Sequence, residues 1–316
     1  MEEYQDNNLK MKIKNLLIYF VVFLSMLACK VDKKPTIDPV ASLFSRTTIA
    51  AEKEYRFIDS ISLRLDVYVP SKRLGESPWV TYSDGNKPTL LYFHGGGWRD
   101  GEKESRILEI LPYVDKGWVV VTANYRLIKN ASLPEIIGDC RTALEWVYEH
   151  ANQFNIDTTK VFIAGNSAGG HLALMTGLLK DDSLYGSNFS SKHKNNIAGI
   201  INWYGITDVS LFVENWKNKQ ILTKNNLPLD TIYNYTSPIN FVDGTIPPIL
   251  TVHGNIDSVV SFKHAKMLHQ KLDENNVKNK LLKIDGKKHG NFNAEEMTYI
   301  YKEIWKFTDE VLEKQE

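Results

Sequence analysis

The stretch KVFIAGNSAGGHLALM, residues 160–175, limits what this chain can become more than any other. Val161, Phe162 and Ile163 are β-branched or aromatic and read as a buried strand, whereas HLALM reads as a helix. Gly165, Asn166, Ser167, Ala168 and Gly169 lie between the two. A serine at the centre of such a turn is the G-x-S-x-G nucleophile elbow. The turn lifts the hydroxyl above the sheet, and glycines two before and two after leave room for neighbouring backbone. The helix that begins there offers unpaired N–H groups and a positive dipole end.

The surrounding pattern agrees with a strand–turn–helix unit repeated along the chain. EYRFID and SLRLDVYV read as an antiparallel opening pair, and TLLYF, WVVVTANY, KVFIAG, IAGIINWY, PILTVHG and KLLKID as short apolar strands. Helical stretches lie between them. From Pro134 to Phe154, Ile136, Cys140, Ala143, Leu144 and Val147 recur at three- and four-residue spacing, which makes Cys140 a core residue and puts Pro134 in a first helical turn. The expected fold is α/β: a mostly parallel eight-stranded sheet with helices on both faces, its ligands beyond the carboxyl ends of the strands. Residues 208–248 lack clean periodicity and are expected to form a small cap.

Composition narrows the function classes. With 316 residues, 43% of them hydrophobic, one large core accounts for the chain. Lysine plus arginine equals aspartate plus glutamate, and no basic run forms a phosphate-binding face, so nucleic acid is not an expected partner. Two cysteines, Cys29 and Cys140, exclude a disulfide framework and a cysteine-rich zinc site. None of the eight histidines has HExxH spacing, and no metal or other cofactor is expected. Oligomeric state is not legible.

The N-terminus reads as an export signal. LLIYFVVFLSMLA, residues 16–28, is too short for a comfortable membrane span, follows Lys10, Lys12 and Lys14, and ends on SMLACK. Met11 is the expected true start. Cys29 is the expected site of a lipid anchor after cleavage, in preference to ordinary cleavage or an uncleaved anchor, and this is the one expected membrane contact. Residues 30–53 are polar, contain prolines and are expected to be a tether; residues 54–316 are expected to be the catalytic domain.

The serine needs an oxyanion-stabilising backbone, a base and an acid. His94, Gly95, Gly96 and Gly97 follow the third expected strand, where bare backbone can approach a developing oxyanion without side chains in the way. His289, in KIDGKKHGNF after the last strand, is the expected base. Asp257, after the preceding strand, is favoured as the acid over Asp208, and Asp285 is too close in sequence to His289 to orient it. His253 is expected to make a local hydrogen bond, His171 to be packed or supporting, and His94 to organise its loop.

HGGGW, VTANYRL, GNSAGGHLAL, SPINFV with PPILTVHGNIDSVV, and GKKHGNF together resemble an α/β-hydrolase of the hormone-sensitive-lipase-like esterases. More narrowly they resemble the bacterial bifunctional acetyl/feruloyl esterases that act on decorated xylan. The resemblance implies Gly96, Gly97 and Ala168 as oxyanion donors, Ser167, Asp257 and His289 as the triad, and an exported enzyme for ester or oligosaccharide substrates at the cell envelope. Asn166 departs from the aspartate common in the hormone-sensitive-lipase branch. Trp98, Tyr125, Trp203 and Tyr204 are candidates to stack on a sugar or aromatic acyl group, though the same residues suit covering the sheet. An arylformamidase-like or peptidase-type amide hydrolase shares the catalytic set, and an inactive binding module shares the fold.

Overall fold

The computed structural model describes residues 47–70, 85–180, 185, 196–223 and 227–313. The expected signal of residues 1–29 with Cys29, and the tether up to residue 46, lie outside the described residues. The main unit spans Leu43–Glu316, and its first strand, β1 (Thr47–Ile58), starts inside the stretch expected as tether. Alternation there is masked in the sequence because β1 lies at the sheet edge, with most of its side chains exposed.

Eight strands form one sheet: β1, β2 (Ile61–Pro70), β3 (Lys87–Phe93), β4 (Val119–Ala123), β5 (Ile156–Asn166), β6 (Ile197–Trp203), β7 (Ile249–Gly254) and β8 (Asn279–Ile284). Their spatial order is β1-β2-β4-β3-β5-β6-β7-β8. β2 pairs antiparallel with β1 and β4, and every other pairing is parallel. The helices are α1 (Ile107–Asp115), α2 (Leu133–Glu149), α3 (Ala168–Leu178), α4 (Leu229–Thr236), α5 (Lys263–Glu274) and α6 (Ala294–Leu312), with one-turn helices at Ala151–Phe154 and Val209–Phe212.

Period-two alternation sends neighbouring residues of each strand to opposite faces. Leu91 and Phe93 of β3 join Val121, Ile163 and the inner faces of α2 and α3 in one core. Leu90 and Tyr92 join Val120, Phe162 and the residues of α1 and α6 in the other. Apolar burial on both faces drives the packing, at roughly 25 cal/mol per Å², and explains why the central strands read as continuous apolar runs. Cys140 is fully buried, as its helical stripe requires. Pro134 stands in the first turn of α2, where a Ser132–Glu135 capping box closes the helix start.

The expected cap region, residues 208–248, holds the Val209–Phe212 turn, a 3₁₀ turn at Lys219–Leu222, α4, and a 3₁₀ turn at Pro238–Phe241. These pieces are too short to impose a readable period. α4 packs on α2 and the Val209–Phe212 helix, at the sheet end where α3 begins.

Candidate active site

β5 ends at Asn166 and α3 begins at Ala168, so Ser167 alone makes the turn. Its backbone sits at φ 55° and ψ −118°, a conformation that costs a non-glycine residue on the order of 1–3 kcal/mol. The strain is held by the Ser167 N–H, which donates to Trp203 O at 2.9 Å, and by Ser167 O, which accepts from His171 N at 3.0 Å. Gly169 shows why the motif needs glycine: a Cβ there would lie 2.1 Å from Phe93 O and 2.5 Å from His94 O. The elbow helix and the end of β3 therefore touch backbone to backbone.

That contact sets the loop after β3 beside the serine. Gly96, Gly97 and Trp98 follow one another at φ 119°, 61° and 60°. Two glycines supply the left-handed backbone freely; Trp98 adopts it under strain. The N–H of Gly95 is taken, donating to Asn166 Oδ1 at 2.9 Å. Gly96 O accepts from Arg99 N and Asp100 N. Among the described residues no acceptor takes the N–H groups of Gly96, Gly97 or Ala168; groups of this kind can stabilise an oxyanion.

Asp257 and His289 meet as expected. His289 Nδ1 donates to Asp257 Oδ2 at 2.6 Å, while Asp257 Oδ1 accepts from Val259 N at 2.8 Å and Val260 N at 2.9 Å. Burial opposes ionisation of Asp257, but the nearby His253 Nε2–H, the bond from His289 and the Val259 N–H outweigh it and hold the carboxyl well below the usual carboxylate range. His253 Nε2 donates to Val260 O at 2.8 Å and lies 3.5 Å from Asp257 Oδ2, so its local bond also braces the acid loop. Ser167 Oγ makes no hydrogen bond among the described residues; in such sites the serine–histidine bond tightens on substrate. The rivals are elsewhere: Asp208 caps the Val209–Phe212 helix by accepting from Leu211 N, and Asp285 pairs with Asn255 and Lys283.

The four aromatic candidates are corrected. Trp98, Tyr125, Trp203 and Tyr204 are 0%, 4%, 2% and 2% exposed, so none offers a ring face to a ligand. Trp203 lies in the core against Tyr301 and Phe292. Tyr125 stacks on His94 at 4.2 Å between ring centroids and donates to His94 O at 2.6 Å. His94 Nδ1 donates to Gly95 O at 2.8 Å, and burial pushes its pKa down to about 4, which makes it a neutral organiser of the loop. Trp98 packs edge-on against Phe212 and Trp216 of the cap region. Tyr204, at φ 40°, sets its ring 4.6 Å from that of His289 and meets it edge to face.

Sequence reasoning missed the support that Asn166 gives. Besides Gly95 N–H, its Oδ1 lies 3.1 Å from the Tyr92 hydroxyl, and that hydroxyl is 2.6 Å from Glu109 Oε2. The departure from aspartate at this position therefore keeps an acceptor where the loop needs one. Of groups able to hold a cation, Glu52, Asp66 and Glu104 converge, but Lys103 Nζ stands among them, 3.1 Å from Asp66 Oδ2 and paired with both glutamates. An ammonium already fills that place.

Residues 65–272 match the BD-FAE family model. The match includes the glycine loop, the elbow and Asp257 but stops before His289, whose assignment rests on its bond to Asp257. The probable carboxylic ester hydrolase LipM of Mycobacterium tuberculosis is 27% identical over 194 residues, 58% of this chain and 44% of LipM. The chain spans about half the length of the curated relatives it matches. Among solved structures, the apo form of Thermogutta terrifontis esterase 2 superposes with TM-score 0.67 at 22% identity, covering 90% of this chain and 97% of that one. A truncated carbohydrate esterase from gut microbiota gives TM-score 0.69 at 23% identity, covering 88% and 99%. At that identity the likeness establishes a shared fold, and the family match carries the assignment: the chain belongs to the BD-FAE family, the bifunctional acetyl/feruloyl esterase group of the α/β-hydrolases.

Proposed function

We propose that the protein is a serine esterase that removes acetyl or feruloyl groups from decorated hemicellulose oligosaccharides. The observation that carries the hydrolytic reading is the 2.6 Å His289–Asp257 bond at the same sheet end as a strained serine and three unengaged N–H groups. Ser167 Oγ attacks the ester carbonyl as His289 Nε2 takes its proton. The carbonyl oxygen, now negative, is held by Gly96, Gly97 and Ala168 N–H. Collapse expels the alcohol, which leaves with the proton from His289, and a water deprotonated by the same imidazole releases the acid. Asp257 fixes the tautomer with Nδ1 protonated, so that Nε2 faces the serine as a base.

The polysaccharide part of the reading is supported by the family and by the carbohydrate esterase among its structural neighbours. A signal ending at Cys29 accords with work at the cell envelope. Turnover of acetyl-xylooligosaccharide, methyl ferulate and p-nitrophenyl acetate, each by wild type and Ser167→Ala, tests both levels. Loss of all activity in the variant is expected. Turnover of p-nitrophenyl acetate alone would remove the hemicellulose substrate and leave the esterase; activity retained by Ser167→Ala would remove both.

A further inference from the structure

His171 is fully buried one helical turn beyond Ser167, and the reaction above gives it no part. Its two nitrogens join two elements that the chain keeps apart. Trp98 Nε1 donates to His171 Nδ1 at 3.2 Å, and His171 Nε2 lies 2.6 Å from Thr236 O at the end of α4. An indole N–H only donates and a carbonyl only accepts. The pair of bonds therefore admits a single form of the ring: neutral, bare at Nδ1 and protonated at Nε2. The rings of Trp98 and His171 also meet edge to face at 5.0 Å.

Trp98 is the residue whose place matters. It closes the run of left-handed backbone at Gly96, Gly97 and Trp98. The peptide planes of two glycines are easily turned, so the direction of their N–H groups depends on what pins the next residue. Trp98 O accepts from Ile128 N at 2.8 Å on one side. The indole, with Phe212 and Trp216 at its edges, is held through its one polar atom by His171.

We propose that His171 is a positioning residue that couples the cap to the oxyanion loop: it clamps Trp98 to the Thr236 carbonyl, so that the seat of α4 sets the aim of the Gly96 and Gly97 N–H groups. The inference rests on the esterase reading for what those groups do. Protonation of Nδ1 would set an N–H against the indole N–H, so the clamp exists only while the ring is neutral. Burial keeps it so, pushing the pKa of His171 down to about 4. Trp98 and Thr236 contribute no charge, and the titratable group of α5 that bears on it is His264, also pushed to about 4 by burial.

His171→Gln, His171→Leu and Trp98→Phe in the full chain test the clamp. A glutamine amide offers an acceptor and a donor and is expected to keep most of the activity. Leucine and phenylalanine break the bond from either end. Each is expected to lower kcat for p-nitrophenyl acetate on the order of 10-fold, less than the 10²- to 10³-fold that loss of a whole oxyanion donor costs, with KM changed less than about twofold. The double variant is expected to be no slower than the slower single. Unchanged kcat in Trp98→Phe, multiplied losses in the double variant, or a glutamine variant as slow as the leucine one would overturn the proposal. If the leucine variant does not fold, Trp98→Phe and His171→Gln still decide it. A second readout does not depend on turnover: the Trp98 indole N–H, identified by its absence in Trp98→Phe, is expected to resist hydrogen exchange from pH 8 to about 5.5, and to lose that protection in His171→Leu. A wild type with no esterase activity but a protected indole N–H would remove the esterase reading and keep the clamp; an indole N–H equally protected in His171→Leu would remove the clamp itself.

Discussion

Asn166 Oδ1 holds the Gly95 N–H at 2.9 Å, so the residue beside the nucleophile also fastens the loop that faces it. Both atoms are buried. Replacing the side chain leaves a backbone donor without a partner in a dry place, which costs about 1–3 kcal/mol. Asn166→Ala is therefore expected to lower both the thermal midpoint and kcat, the latter by at least about 10-fold because the oxyanion loop loses its anchor. Steady-state kinetics with a melting curve check this, and a variant as fast and as stable as wild type contradicts it.

The acid can be separated from its rival in one comparison. Asp257→Asn puts an amide opposite His289 Nδ1 and favours the wrong tautomer, with an expected fall in kcat on the order of 10⁴-fold. Asp208→Asn keeps a capping oxygen for Leu211 N–H and is expected to leave kcat within about twofold. Reversed results would move the catalytic carboxylate to Asp208.

Gly254 ends β7 against the loop that carries the base. A Cβ there would lie 2.3 Å from Lys287 O and 2.7 Å from Lys288 O, so Gly254→Ala has to push the segment before His289 outward. A displaced base is expected to cost on the order of 10²-fold in kcat, with a lower melting temperature. Wild-type kinetics in this variant would show that the His289 loop tolerates movement that the geometry forbids.

Acid should loosen the fold before it touches the carboxylate. Burial lowers His94, His171 and His264 to about 4 each, against about 6.5 in an unfolded chain. Between those values the unfolded state binds more protons, so stability falls as pH falls through this window. Asp257, held low, adds stability that is present above its unfolded value near 3.9 and lost only below it. Urea midpoints are expected to be level from pH 8 to about 7 and to decline steadily towards pH 4. A level midpoint down to pH 4.5 would mean that these imidazoles are protonated in the folded protein.

The sheet and the meeting of Asp257 with His289 were legible because local chemistry decides them. The strands announce themselves through alternation or continuous apolar runs, and Ser167, Asp257 and His289 stand at strand ends where glycine crowds the sequence. What stayed hidden depends on tertiary contact. Trp203 ends a strand and Trp98 follows the glycine run, yet neither place tells that one fills the α6 face and the other packs against Phe212. Asn166 looked like a departure from a family aspartate, and only its distance to Gly95 shows the retained acceptor. The edge strand β1 extended past its expected start because its exposed residues carry no apolar period.

The machinery is distributed over strand ends that follow one another in space: the glycine loop after β3, the elbow after β5, Tyr204 after β6, Asp257 after β7 and His289 after β8. Parallel neighbours of this kind pair only across long stretches of intervening chain, which makes their assembly slow and late. His289 reaches Asp257 from the loop that follows β8, so the site is complete only once β8 has paired with β7. On the proposed esterase reading, the onset of turnover during refolding is expected to coincide with the joining of the last strand.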